Sequence, residues 1–333
     1  MLCYVLHGPG DLREEHRPVP EPGQGEALIK IAGCAICHTD LGIIDGHWPF
    51  LPPLPIVMGH EYAGTVVAVG QNATGVAPGD RVTVHTAVNC GHCSACQSGT
   101  PWLCSHRTAR WGGYAEYVAL PEHCLYQVPP EVTDDQAIAV DVFALAVRAV
   151  ELADVKPGDS AVVIGGGGIG LVLVGLLRFM GAGTIVVSEP SGDKHALARE
   201  FGADAVLNPH ECNLTAEVKA LTGGNGAHAV FEVVGLPKTT EQALTLARRA
   251  GTIVIMGVAN PEAVARIRPF DIFAKHLTIR GLFGSGWSYP RTIELLPRVR
   301  PERVLTPKMP LSELPRALEM RRKNMGIRPV MIP

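Results

Sequence analysis

One stretch near the middle of the chain constrains the fold more than any other part of the sequence. It begins with the apolar, β-branched run Ala161–Ile164 and continues into a glycine loop with G-x-G-x-x-G spacing. A helical apolar pattern follows over Leu171–Met180, then a second strand-like run, Thr184–Ser188, and an acid, Glu189. A strand, a glycine turn, a helix and a spaced acid in this order predict a dinucleotide-binding βαβ unit.

The glycines of this loop have separate physical purposes. Gly165 permits a tight turn, Gly167 lets a pyrophosphate approach the backbone, and Gly170 lets the helix pack closely on the strand. The N-terminus of the following helix offers free N–H groups and a partial positive charge to the pyrophosphate, and Gly168 and Ile169 of the loop are also predicted to bind the cofactor. The alternative interpretation is a glycine-rich turn in an ordinary βα unit.

The acid that ends this stretch bears on the choice of cofactor. Glu189 lies nineteen positions after Gly170 and can accept hydrogen bonds from an adenosine ribose. A carboxylate there repels a ribose 2′-phosphate, and residues 190–193 supply no Arg to offset it. Lys194 either contacts the ribose or lies on a solvated helix face. We therefore predict NAD rather than NADP as the cofactor.

Length and composition limit the remaining possibilities. At 333 residues the chain is expected to form two domains, and its 47% apolar content suits a large buried core. Ala161–Leu177 carries no charge, but the five glycines among residues 165–170 and the charge of Arg178 argue against a membrane span. A net charge of −3 without a long basic run predicts no nucleic-acid partner. The N-terminus does not resemble a signal peptide, so we expect a cytoplasmic protein with no membrane partner.

The order of strand-like and helix-like segments predicts two different architectures. Before residue 134, short strands alternate with Gly- and Pro-rich turns, which favours a mostly β, barrel-like domain. After a long helical pattern over Asp135–Leu152, strands and helices alternate, which predicts a doubly wound parallel sheet of the Rossmann type in an α/β fold. The predicted division is residues 1–140 with 290–333 for a discontinuous β domain and 141–289 for the nucleotide-binding domain.

Four cysteines fall within one short loop. They are spaced C-x2-C-x2-C-x7-C, as Cys90, Cys93, Cys96 and Cys104. Four thiolates so close together suit a closed tetrahedral zinc site, which stabilises a fold and performs no chemistry. Repeated C-x2-C spacing also occurs in iron–sulfur proteins, but the long last gap and the absence of Pro after Cys104 favour zinc.

This loop belongs to a fixed order of motifs along the chain. CHTD occupies residues 37–40, GHEYAG occupies 59–64, the cysteine loop follows, and GGGGIG occupies 165–170. Together these motifs resemble the zinc-dependent medium-chain alcohol and polyol dehydrogenases, over essentially the whole chain. The resemblance implies a GroES-like catalytic domain, NAD, and two zinc ions per chain, one catalytic and one structural. It also implies hydride transfer from an alcohol to NAD, giving an aldehyde or ketone, and assembly as a homodimer or homotetramer.

The resemblance assigns the catalytic zinc to particular residues. Cys37 and His60 look like two ligands, and Asp141, twenty-four positions before Gly165, stands at the place of the third. Alcohol dehydrogenases have Cys at that place and polyol dehydrogenases have Glu. Asp can bind zinc but is one methylene shorter than Glu, so it needs a closer backbone or binds more weakly. The alternative is that Asp141 caps a helix. Glu61 resembles the family's acid beside the zinc.

Other residues resemble the family's proton-handling and cofactor-binding groups. Thr39 matches the Ser or Thr whose hydroxyl takes the alcohol proton, and Asp40 matches the adjacent acid that orients this segment. His38 matches a residue near the cofactor pyrophosphate. Gly42 stands where many alcohol dehydrogenases have a relay histidine, so the expected substitute is water or His47.

Two features point to different substrates. An acidic third ligand favours polyols or vicinal diols, whereas the loop DGHWPFLPPLPIVMGHE resembles that of bacterial enzymes for simple alcohols. Trp48 and Phe50 in this loop are candidates for lining either the substrate pocket or the core. A threonine- or amino-alcohol-type dehydrogenase would share the same metal site, and a non-catalytic NAD-binding protein is the remaining alternative.

Overall fold

The computed structural model describes residues 1–48, 53–286 and 288–333. Phe50, a predicted pocket residue, lies outside the described residues. The chain divides into two compact units, of which the first comprises Met1–Asp141 and Tyr289–Pro333 and the second comprises Val142–Ser288. Each boundary lies one residue from the predicted position. Within the described ranges, no helix combines the length and the apolarity that crossing a bilayer requires.

Short strands dominate the first unit, whereas strands and helices alternate in the second. In chain order the strands are β1 (Leu2–Gly8), β2 (Asp11–His16), β3 (Glu26–Ala35), β4 (Ile56–Val57), β5 (Glu61–Val69), β6 (Arg81–Val84), β7 (Ala87–Val88), β8 (Thr108–Ala109), β9 (Tyr117–Pro121), β10 (Leu125–Gln127), β11 (Ala161–Ile164), β12 (Ile185–Ser188), β13 (Ala205–Leu207), β14 (Ala227–Glu232), β15 (Ala247–Ile255), β16 (Thr278–Gly281), β17 (Lys308–Pro310) and β18 (Val330–Ile332). The α-helices are α1 (His38–Ile44), α2 (Ser94–Gln97), α3 (Asp134–Ile138), α4 (Val140–Ala153), α5 (Gly168–Phe179), α6 (His195–Phe201), α7 (Leu214–Leu221), α8 (Pro237–Leu246), α9 (Pro269–Lys275), α10 (Tyr289–Val299) and α11 (Leu314–Arg322).

The first unit is mostly β. Six strands of its main sheet follow the order β10-β6-β5-β3-β18-β17, and β9 pairs with β3 as a seventh. A second sheet has the order β2-β1-β4. Strand β18 pairs antiparallel with β3, Met331 opposite Cys34, so the C-terminal segment returns to the first unit as predicted.

The pairing of β3 with β5 positions the predicted site. These two strands are antiparallel, and Ala35 at the end of β3 lies opposite Glu61 at the start of β5. Cys37 follows the end of β3 and His60 precedes β5, so the pairing brings two distant motifs together. Tyr62 and Tyr114 are buried in the core beneath them.

The second unit contains a six-stranded parallel sheet with the order β13-β12-β11-β14-β15-β16. This is the doubly wound order of dinucleotide-binding proteins, in which a ligand binds where the strand order reverses. Ile164 at the end of β11 lies opposite Ser188 on one side and Glu232 on the other. The carboxyl ends of three adjacent strands therefore coincide beside the glycine loop. The predicted fold class, a Rossmann-type sheet with a separate mostly β unit, is confirmed.

The prediction of one helix over Asp135–Leu152 is wrong, because the chain forms α3 and α4 instead. Thr133 caps α3, its hydroxyl accepting the Gln136 N–H at 3.2 Å while the Gln136 side chain accepts the Thr133 N–H at 3.0 Å. The helix ends at Ile138, and the ψ of −3° at the following residue, Ala139, departs from helical geometry. Apolar periodicity does not detect this break, because the residues on both sides of it are buried.

Candidate active site and metal centres

Three predicted site residues converge in the first unit. The Cys37 thiol, a His60 ring nitrogen and a Glu61 carboxylate oxygen lie within 4.8 Å of one another. Sulfur, imidazole and carboxylate are all ligands that zinc accepts, and three protein ligands leave a fourth position open for a substrate oxygen. The donor set therefore fits a catalytic zinc ion.

Asp40 orients two members of this cluster. Its carboxylate is fully buried and lies 2.9 Å from His60 Nδ1, 2.8 Å from the Cys37 backbone nitrogen and 2.8 Å from the Tyr114 hydroxyl. Because a carboxylate accepts, Asp40 fixes a proton on His60 Nδ1, so Nε2 is the nitrogen that a metal would bind in place of a proton. Nε2 is also the atom that lies 3.8 Å from Glu61 Oε1.

Sequence reasoning missed Arg328, which is buried beside the cluster. Its Nη1 donates to both Glu61 oxygens, at 3.2 and 3.0 Å, and its Nη2 lies 3.7 Å from Cys37 Sγ. Arg328 stands 267 positions after Glu61, so no local motif could have indicated the contact. It reaches the site because β18, which follows it, pairs with β3.

The charges around the cluster change the acidity of its members. Burial raises the pKa of the Cys37 thiol, but the His60 hydrogen bond and the Arg328 charge outweigh burial and lower that pKa to about 6. A lower thiol pKa favours the thiolate, which is the form that binds metals. Burial is also the largest influence on Glu61, and it raises the pKa of that carboxyl well above its usual value.

Asp141 is not part of the three-residue cluster. It lies in the first turn of α4, and its Oδ1 accepts a hydrogen bond from the Tyr289 hydroxyl at 2.6 Å. Its charge adds to burial in raising the pKa of Glu61, so it is close enough to act on the site. Its assignment as the third zinc ligand stays a prediction, since the carboxylate that the structure groups with Cys37 and His60 is Glu61.

The other residues around the CHTD motif lie on or after α1. Thr39 is half-buried, and His38 is exposed with its Nδ1 2.6 Å from Arg321 Nη2. His47 is exposed, so its place in a proton relay also stays a prediction. Trp48 packs partly against the core, next to Gly42.

The four cysteines of the predicted structural site are brought together. Their sulfur atoms lie within 4.8 Å of one another, and none forms a disulfide. The N–H groups of Cys93 and Cys90 donate to Cys90 Sγ and Cys104 Sγ, each at 3.4 Å. Hydrogen bonds from the Cys96 backbone and from the neighbouring thiols outweigh burial and lower the pKa of Cys93 to about 6. The loop's helix, α2, has no buried residue, so a metal would be its main support.

The glycine loop of the second unit has the geometry that the sequence predicts. Gly165 has a φ of +111°, which favours glycine, and α5 begins at Gly168. A Cβ on Gly170 would lie 1.9 Å from the Gly165 carbonyl oxygen, so only glycine permits this packing. A Cβ on Gly167 would meet nothing within 4 Å, which leaves space for a bound phosphate group beside the helix start.

Glu189 is held against this loop at the end of β12. Its Oε2 accepts the Gly166 N–H at 2.7 Å and its Oε1 accepts the Ser191 N–H at 2.9 Å. Lys194 Nζ lies 3.9 Å from Oε1. Each carboxylate oxygen can accept a second hydrogen bond, so the oriented group can still bind ribose hydroxyls.

Comparisons with known proteins agree with both halves of this description. Residues 23–130 match the alcohol dehydrogenase GroES-like domain, and residues 168–298 match the zinc-binding dehydrogenase domain. The chain belongs to the zinc-dependent medium-chain alcohol dehydrogenase family.

The relatives of this dehydrogenase are named for different substrates. The L-threonine 3-dehydrogenase of Pyrococcus horikoshii is 36% identical, over 80% of this chain and 78% of that protein. The (R,R)-butanediol dehydrogenase of Bacillus subtilis is 33% identical, over 94% of each chain. A zinc-binding dehydrogenase from Sinorhizobium meliloti 1021, solved bound to NADP, has a TM-score of 0.93 and 29% identity, over 100% of this chain and 99% of that one.

The packing of the glycine loop predicts the effect of two matched substitutions in this dehydrogenase. We expect Gly170→Ala to destabilise the second unit by about 1–3 kcal/mol and to weaken dinucleotide binding, because its Cβ overlaps the Gly165 carbonyl oxygen. Gly167→Ala adds the same methyl group in open space, so it should leave the melting temperature unchanged. Thermal unfolding and NADH fluorescence titration would measure both. Equal melting temperatures for the two variants would contradict the close packing.

Proposed function

We propose that this dehydrogenase oxidises a secondary alcohol that carries a neighbouring hydroxyl, as in a vicinal diol or polyol, with NAD as hydride acceptor. The observation that carries the proposal is the cluster of Cys37, His60 and Glu61, held by the buried groups of Asp40 and Arg328. The acidic residues around the cluster, including Asp141, favour a substrate rich in hydroxyl donors. The butanediol dehydrogenase relative, similar along nearly its full length, supports the same class.

The residues present fit two zinc ions. Cys37, His60 and Glu61 would hold the catalytic ion, with Asp141 as the alternative carboxylate, and the four cysteines would hold the structural ion. Bound zinc supplies Lewis-acid stabilisation of negative charge on the substrate oxygen, and bound NAD supplies the hydride acceptor.

The chain's own residues orient the ligands and move the proton. Asp40 holds His60 with Nε2 directed to the cluster, and Arg328 holds Glu61 through both oxygens. Thr39 Oγ1 accepts the proton of the substrate hydroxyl as it releases its own hydroxyl proton. With Gly42 in place of a relay histidine, we propose that this proton leaves Thr39 through water.

The proposed cofactor is NAD. Glu189 is fixed beside the glycine loop and would repel a 2′-phosphate, and residues 190–193 contain no Arg. The Sinorhizobium relative binds NADP, so a protein of this fold can accept the phosphorylated cofactor. The preference for NAD therefore rests on the charge of Glu189.

The experiment that tests this function measures NAD(P)H formation by zinc-replete protein. The matched pair is 2,3-butanediol and 2-butanol, which differ only by the second hydroxyl. We expect kcat/KM at least about tenfold higher for the diol, because a site that hydrogen-bonds a hydroxyl rejects the analogue that lacks it. We expect NAD to be preferred to NADP. Equal rates would indicate a simple-alcohol enzyme, and preference for L-threonine would support the second candidate, which the Pyrococcus relative suggests.

We further propose that the protein is a homo-oligomer that pairs through the edge of its parallel sheet. Strand β16 ends the sheet and all four of its residues are exposed. An exposed edge strand has unpaired N–H and C=O groups, and pairing with a second copy about a two-fold axis satisfies them. The preceding helix, α9, exposes Phe270 and Phe273 by 70% and 81%, which suits burial at an interface.

The substitution Ile279→Lys tests this assembly. A lysine on an edge strand opposes pairing with a second copy, so we expect the variant to be monomeric where the wild-type chain is a dimer or tetramer. Ile279 is itself exposed, so the fold should tolerate the change. Light scattering coupled to size-exclusion chromatography would measure the mass, with Thr278→Ser as the control. A monomeric wild type, or an unchanged mass for Ile279→Lys, would contradict the proposal.

A further inference from the structure

A buried carboxylate at the end of β14 takes no part in the metal sites. Glu232 is fully buried, and its Oε1 lies 2.9 Å from the Val234 nitrogen, 2.9 Å from the Gly235 nitrogen and 2.8 Å from the Thr239 hydroxyl. Its Oε2 is also buried, and within the described residues it has no hydrogen-bond partner. Three donors converge on Oε1, so this oxygen fixes the groups that supply them.

The groups that Oε1 holds form the turn at residues 233–236 and the start of α8. This turn lies directly on the glycine loop, since a Cβ on Gly165 would come within 2.9 Å of Val234 Cγ2. It also lies directly on the end of β15, since a Cβ on Gly257 would come within 2.0 Å of the Gly235 nitrogen. Glu232 therefore anchors a turn that is packed between two glycine-dependent segments.

This turn presents an apolar edge beside the glycine loop. Val234, Leu236 and Val258 are apolar, yet they are exposed by 43%, 55% and 61%. A Cβ on Gly235 would lie 2.6 Å from the Val258 carbonyl oxygen, so Val258 is adjacent to the turn. Apolar side chains exposed at the carboxyl ends of parallel strands, next to a phosphate-binding loop, are suited to cover the flat rings of a dinucleotide.

We propose that Glu232 is a positioning residue of the dinucleotide site. Through Oε1 it fixes the turn at residues 233–236 against the glycine loop and so forms the apolar edge before the cofactor binds. The inference rests on the proposed NAD site. It assigns the function to one acceptor oxygen at the position of Oε1, on which the Val234 N–H, the Gly235 N–H and the Thr239 hydroxyl converge, and not to the negative charge.

Substitutions of Glu232 distinguish the effect of the side chain's length from the effect of its negative charge. Glu232→Gln keeps an acceptor oxygen with the reach of Oε1 and places its NH2 group where Oε2 has no partner. We expect its Kd for NADH, measured by fluorescence titration, to stay within about twofold of wild type. Glu232→Asp retracts both oxygens by one methylene and Glu232→Ala removes them. Both should raise the Kd about tenfold or more, while kcat at saturating NAD changes less than about twofold.

Two controls distinguish positioning from general stability. Ser160→Ala removes a hydroxyl that lies 2.8 Å from His228 Nδ1 at the amino ends of the central strands of the same sheet, so it should change the melting temperature and not the Kd. If Glu232→Ala does not fold, Thr239→Val removes one of the three donors to Oε1 and Thr239→Ser retains it. Only the valine variant should then raise the Kd.

The possible outcomes separate this inference from the proposed function. A Glu232→Gln variant as weak as Glu232→Ala would show that the charge is required, and would overturn the proposal. An unchanged Kd in Glu232→Ala, or in Thr239→Val where the alanine variant is unfolded, would overturn it as well. A wild-type chain that binds no NADH would instead refute the proposed NAD site, and this inference with it.

Discussion

Asp40→Asn should weaken binding of the catalytic zinc about 10–100-fold, because Asp40 orients a ligand without touching the metal. Its Oδ2 receives two donors, the Cys37 N–H and the Tyr114 hydroxyl, and its Oδ1 faces His60 Nδ1. The asparagine amide has only one acceptor oxygen. Because two groups donate to the position of Oδ2, we expect the amide oxygen to occupy that position. The NH2 group then faces His60, whose Nδ1 must accept. The ring proton moves to Nε2, and that nitrogen can no longer bind a metal.

Zinc content per chain after dialysis against a chelator measures this effect. The cysteine loop provides an internal reference, because its four sulfur atoms are unaffected by residue 40, so the expected change is from two zinc ions per chain to one. Tyr114→Phe is the matched control, since it removes one donor to Asp40 and leaves the His60 contact intact. An Asp40→Asn protein that retains both ions at wild-type affinity would show that Asp40 does not set the His60 tautomer.

Some parts of the molecule could be predicted because their information is local in the sequence. The strand, glycine loop and helix from Ala161 onward are contiguous, and Gly165 and Gly170 have the steric reasons that the sequence predicts. The four cysteines lie within one loop, so their spacing alone predicts that their sulfur atoms meet. The grouping of Cys37 with His60 needed the family resemblance, because it depends on the pairing of β3 with β5.

Other parts could not be predicted, because they depend on contacts between distant segments. Arg328, Tyr114 and Tyr289 are single residues without a motif, and each reaches the site through the tertiary fold. The break between α3 and α4 was missed because apolar periodicity continues across buried helices. The family resemblance places Asp141 by its position in the sequence, and that position does not show that the Tyr289 hydroxyl holds its carboxylate.

The second prediction concerns the third zinc ligand, for which the candidates are Glu61 and Asp141. We expect Glu61→Gln to lose the catalytic zinc and to destabilise the first unit by about 3–5 kcal/mol, because it leaves the buried Arg328 without its carboxylate partner. Asp141→Asn should retain the zinc, since Asp141 lies outside the cluster of ligand atoms and its Oδ1 is hydrogen-bonded to Tyr289. Metal analysis and chemical denaturation of both variants would measure these changes.

A double variant separates the loss of metal from the loss of stability. Glu61→Gln with Arg328→Met removes both charges of the buried pair, so stability should largely return while the zinc stays absent. Return of the zinc together with stability would mean that Glu61 acts only through Arg328 and is not a ligand. Loss of zinc from Asp141→Asn, with zinc retained in the double variant, would make Asp141 the third ligand, as the family resemblance implies.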